Sequence, residues 1–131
     1  MEKEFSLARQ LDERFDHAGP DRGLGLLYLD APTLGSIGSR TKARQHLRRA
    51  VELAPDYPEN RLNLVEAYVK WSERADAGRE LRTLEDQLPA ARAAFTGPAW
   101  ASSWTDWDQR LKKVKKRAED SSKTLESPRQ K

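Results

Sequence analysis

The sequence predicts an all-α protein, a helix-turn-helix solenoid closed by a C-terminal amphipathic capping helix. Three observations carry that prediction. Ala43, Leu47, Ala50 and Pro55 fall onto Ala77, Leu81, Leu84 and Pro89 at an offset of about 34 residues, the period at which helix pairs repeat in solenoids. Leu24, Leu27 and Tyr28 are matched further on by Leu64, Ala67 and Tyr68. Trp100, Trp104, Trp107, Leu111 and Val114 then recur at spacings of three and four, which places them on one helical face.

The first helix is predicted over residues 2–15, a partial repeat. Its Phe5, Ala8, Leu11 and Phe15 overlay Leu47, Ala50, Leu53 and Tyr57 at an offset of about 42 residues, so the chain opens inside a repeat. That helix needs a covering partner, either upstream residues or a second copy, and a homo-oligomer is the expectation. Asp16-His17-Ala18-Gly19-Pro20 ends the helix, because Gly-Pro disfavours continuation. The first full repeat, 21–55, begins with a helix over 21–30 that has an acid in its first turn. Tyr28 and Tyr68 lie about 40 residues apart rather than 34, so a long inter-helix loop is assigned to 31–38. The next helix should start at Ser39 or Thr41 as N-cap and run to Ala54, burying Ala43, Leu47, Ala50, Val51 and Ala54.

The second repeat, 58–89, takes Pro58 in the first turn of a helix reaching Trp71, with Leu62, Leu64, Val65, Ala67, Tyr68 and Val69 giving wide apolar coverage. Its second helix spans 75–88, buries Ala77, Leu81, Leu84 and Leu88, and is closed by Pro89. Thr96-Gly97-Pro98 announces the capping helix, 98–118, and residues 119–131 read as a disordered basic tail. A terminal cap is required because the last repeat would otherwise leave apolar surface in water. The tryptophan face is therefore expected against Leu81 and Leu84.

At 131 residues and 37% apolar content the chain supports one domain with a modest core. Charged residues make up 34%, with mixed signs and a net charge of +3, which marks a solvated globular surface. The chain has no cysteine, so disulfides, thiolate chemistry and cysteine-ligated metals are excluded. It has neither a run of 18 apolar residues nor a signal-type apolar region after Met1. The compartment stays open: cytoplasmic by default, periplasmic if an upstream signal precedes Met1.

Chemistry-bearing constellations are sparse. His17 and His46 have no partners at metal-ligand spacing, and no cofactor is expected. His46, beside Arg44, Arg48 and Arg49, reads as a solvated histidine. No nucleophile motif joins the serines, histidines and acids, so the chain is not expected to be an enzyme. The 31–38 segment and the Ser39, Arg40 and Lys42 that follow put glycines, serines and cations before a helix N-terminus. The main reading is a turn capped by Ser39; one alternative is a cradle in which backbone N–H groups and the helix dipole hold an anion, and another has Leu34 and Ile37 form with Tyr28 the wall of a small pocket, to which Tyr68 is added. The segment from Arg110 to Arg117 holds six cations, and residues 98–131 hold nine bases against five acids. The remainder then has 24 − 9 = 15 bases against 21 − 5 = 16 acids, so basic character is confined to the cap and tail. Nucleic acid and an anionic membrane surface are considered for that region. Neither is the predicted partner, because a capping helix presents such an outer face without any ligand.

The alignment of Ala43, Leu47, Ala50 and Pro55 with Ala77, Leu81, Leu84 and Pro89 resembles the tetratricopeptide repeat family. The resemblance implies a non-enzymatic scaffold that binds a protein or peptide partner in a concave face built from the first helix of each repeat. On this chain that face would present Arg22, Glu59, Asn63, Glu66 and Lys70. Asn63 stands where peptide-binding members hold a carboxylate with asparagine, whereas Leu62 and Glu66 replace the basic or amide groups that flank it there. The strings over residues 25–32, 36–39 and 54–62 also resemble bacterial repeat proteins related to the T-component of tripartite ATP-independent periplasmic (TRAP) transporters. That resemblance implies an alternative role, a transporter accessory that binds a small ligand or a solute-binding protein. The chain departs from that group in lacking a lipidation cysteine.

Overall fold

In the computed structural model, which describes residues 2–4, 6, 15–30 and 37–126, every regular element among the described residues is helical. The elements are α1, Phe15–Asp30; α2, Ile37–Leu53; α3, Pro58–Lys70; α4, Arg74–Ala94; a 3-10 turn, Pro98–Trp100; and α5, Ala101–Glu126. They fall into two compact units, Met1–Leu64 and Val65–Lys131. The partial-repeat residues Phe5, Ala8 and Leu11, and Leu34 with most of the 31–38 loop, lie outside the described residues.

In the first unit α1 and α2 form an antiparallel hairpin: Asp21 meets His46 while Tyr28, two turns further on, meets Lys42. Leu24 and Tyr28 of α1 are buried, as is the stripe of Ala43, Leu47, Ala50 and Val51 on α2. Close approach depends on Gly25, where a Cβ would lie 2.7 Å from Leu47 Cδ2 and 3.2 Å from the Leu47 backbone nitrogen. The expected break over 16–20 falls at a kink inside α1, where Asp16, His17 and Ala18 all take left-handed conformations (φ 53, 52 and 67°). Such residues cost about 1–2 kcal/mol each, and side chains described below hold them. Helix α2 begins at Ile37, so Ser39 lies inside the first turn and is not the N-cap.

In the second unit, α3 ends in a Schellman arrangement. Ser72 is left-handed (φ 60°), the Glu73 N–H donates to Tyr68 O at 2.9 Å and the Ser72 N–H donates to Val69 O at 3.1 Å. Helix α4 buries Ala77, Leu81 and Leu84, while Leu88 is only half-buried. It continues through Pro89 to Ala94, correcting the predicted stop. Proline removes one N–H and crowds the preceding turn, but Ala90, Ala91, Ala93 and Ala94 favour helix. The buried Ala91 and Phe95 then anchor the last turn, closed by the Phe95 N–H on Ala91 O at 2.8 Å. Gly97 (φ 98°) turns the chain into Pro98. Helix α5 packs on α4 and runs to Glu126, so the predicted end near Ala118 is replaced by a longer helix covering most of the supposed tail.

Candidate functional site

Arg22 and Glu59, both predicted to meet a partner, meet each other instead: Arg22 Nε lies 3.3 Å from Glu59 Oε2. Arg22 Nη1 donates to His17 O and to Asn60 Oδ1, each at 3.1 Å, and Nη2 donates to Asp16 O at 3.3 Å and to Asp16 Oδ2 at 3.1 Å. All three guanidinium nitrogens are thus engaged within the first unit. Asn60, 1% exposed, works from the other side: its Nδ2 donates to His17 O at 2.8 Å and reaches the Ala50 and Ala54 carbonyls at 3.4 Å. Together they clamp the left-handed turn against the start of α3. His17 stacks on Tyr57 at 4.4 Å, and the Arg22 guanidinium lies 5.2 Å from the same ring. Burial and the nearby Glu59 and Asp16 carboxylates push the Tyr57 phenol pKa upward, against the opposing pull of Arg22.

His46 departs from the solvated role predicted for it. Its Nδ1 lies 2.8 Å from Oδ1 of Asp21, a carboxyl with no exposure, and its ring stacks on Tyr28 at 5.8 Å. Position 46 borders the buried 43/47/50 stripe, so the α1 hairpin arm covers one edge of the ring. No spacing in the sequence connects Asp21 with His46, or Asn60 with His17; these pairs exist only after the hairpin forms. Tyr28 also accepts Lys42 over its ring at 5.2 Å, and its hydrogen bond with Glu2, then burial, pushes the phenol pKa up.

The remaining predicted positions divide. Asn63 is 2% exposed and Tyr68 is 1% exposed, which corrects the picture of Asn63 on an open groove; the Tyr68 ring lies edge-on to Trp71. Lys70 and Arg40 are exposed, and Ile37 and Ser39 are described by their backbone alone. Glu66 receives Arg110 in a two-pronged pair, Nη2 to Oε1 at 2.6 Å and Nε to Oε2 at 3.1 Å, while Arg110 Nη1 reaches Asp106 Oδ2 at 3.1 Å. Burial opposes the Arg110 charge, but Glu66 and Asp106 outweigh it and raise its pKa. The pair forms one wall of a half-open cleft of about 370 Å3, completed by Lys113, Val114, Lys116, Arg117 and Asp120.

The tryptophan face forms the closing cluster of the second unit. Trp107 is buried, and Trp100 and Trp104 stand 6.1 and 5.0 Å from it. Trp100 meets Phe95 at 4.9 Å, and Trp104 Nε1 donates to Phe95 O at 2.6 Å, capping the end of α4. Trp100, Trp104 and Leu111 remain half-buried rather than fully covered. Arg92 lies over Trp104 at 4.3 Å and pairs with Asp108 at 2.6 Å. Among the described residues no group of three or more His, Asp or Glu is placed to hold a metal, and no helix is long and apolar enough to cross a membrane. Comparison with family models, curated proteins and solved structures finds no match to this chain.

Proposed function

We propose that the chain is a non-catalytic helical module of the tetratricopeptide type that binds a protein partner. One observation carries this reading. The polar groups of the first unit that could serve chemistry, Arg22 and the Asp21–His46 pair, hold helices together, whereas α5 turns exposed cations toward an open cleft. The tight Gly25–Leu47 approach supports a repeat-type hairpin, since small residues let paired helices pack closely. The transporter-accessory alternative depends on residues 31–36, which lie outside the described residues.

Photo-crosslinking in the native host tests the proposal. A benzophenone side chain is placed in turn at exposed positions Lys42, Gln45, Arg82, Asp86, Lys113 and Arg117. Discrete adducts to one protein from at least one position are expected. Adducts at none of the six, with the variants folded, would contradict a protein-binding module.

A further inference from the structure

We infer that the cleft on α5 receives an acidic segment of the protein partner, with one apolar side chain packed along the aliphatic stems of Lys113, Lys116 and Arg117 and flanking carboxylates on their charged ends. The inference rests on the interaction-module reading and says where and by what chemistry the partner docks. Its apolar surface is that of the exposed Lys113, Lys116 and Arg117 stems, beneath which Val114, 2% exposed and one turn from Arg110, is packed. Its far wall is fixed, because Arg110 is clamped by Glu66 and Asp106. Lys115, by contrast, faces the bundle and pairs with Glu85 at 3.2 Å. The helix thus sorts its cations, some gripping the protein and some lining the cleft, as an interface does when attraction must be local.

Two features select peptide over polyanion. The cavity of about 370 Å3 sits at the small end of ligand sites, with room for one or two side chains rather than a run of nucleotides. Glu66 and Asp120 also stand in its wall and would oppose the continuous phosphates of a nucleic acid or the dense headgroups of an anionic bilayer. Separated carboxylates around an apolar anchor can avoid them.

The test measures anisotropy of a fluorescein-labelled peptide of pattern acid-acid-leucine-acid-acid with the full chain at low salt. Parallel titrations use its leucine-to-serine variant, single-stranded oligo-dT and phosphatidylserine-rich vesicles. Saturable peptide binding is expected, weakened about tenfold or more by the Lys113→Glu, Arg117→Glu double variant and by loss of the leucine. Both positions are exposed, and an unchanged circular dichroism spectrum and melting temperature confirm that the variant folds. Tighter binding of oligo-dT or vesicles than of peptide, or a double variant with undiminished peptide affinity, overturns the inference. Crosslinks from Lys42, Gln45, Arg82 or Asp86 alone would remove this cleft while leaving the interaction module standing; crosslinks from none would remove both.

Discussion

Asn60 shows how much a single amide can hold. Its side chain satisfies the carbonyl of a left-handed residue and accepts from a buried arginine. Asn60→Ala removes one of the two donors to the His17 carbonyl and one of the acceptors of Arg22, which costs about 1–3 kcal/mol, readable as a lower urea midpoint. Tyr57 reports the same cluster spectroscopically. Its folded pKa lies above the ordinary value of 10.0, so the neutral phenol is the form that the fold favours. The stabilisation is complete below the unfolded pKa and is lost as pH climbs through the folded one. An ultraviolet titration should show Tyr57 and Tyr28 ionising above the pH at which free tyrosine does, with the Tyr57 share absent in Tyr57→Phe and unfolding easier beyond it. Arg110→Gln breaks the two-pronged contact with Glu66; because both side chains keep partial exposure (24 and 35%), the cost should stay near 1 kcal/mol.

The helices test propensity against packing. Ser72 occupies the left-handed position that closes α3, where glycine is the usual residue. Ser72→Gly should stabilise the protein by about 0.5–1 kcal/mol in thermal unfolding. Gly25→Ala should do the reverse, by about 1–3 kcal/mol, because its new methyl would meet the Leu47 backbone as well as its side chain. At this scale the sequence was readable where apolar spacing is regular: the 43/47/50 and 77/81/84 stripes are buried as their periodicity predicts. Helix ends were harder. Pro89 and Ser39 look like boundaries by local chemistry, yet both lie inside helices; at Pro89 the buried Ala91 and Phe95 carry the helix onward. The candidate site was hardest, since Arg22 with Asn60, or Glu66 with Arg110, are 38 and 44 residues apart and no local rule links them.

Over the whole chain, an all-α fold follows from helical periodicity sustained with few interruptions, and the described residues are helical throughout their regular elements. Charge is distributed unevenly along it, near balance before Pro98 and basic after it. The docking proposed for α5 should therefore be sensitive to ionic strength: the acidic peptide should lose affinity steadily as salt rises, and its association rate should fall faster than its dissociation rate climbs. The polar clusters of the first unit, shielded by their own helices, should leave thermal stability much less dependent on salt. The most direct measurement is a chemical-shift titration of the isotope-labelled full chain with the acid-acid-leucine-acid-acid peptide. The account predicts that backbone amide shifts concentrate at Lys113, Val114, Lys116 and Arg117 with Glu66 beside them, while Arg22 and Asn60 stay still. Shifts centred on Arg22, Glu59 and Asn63, or an unmoved spectrum at saturating peptide, would contradict it.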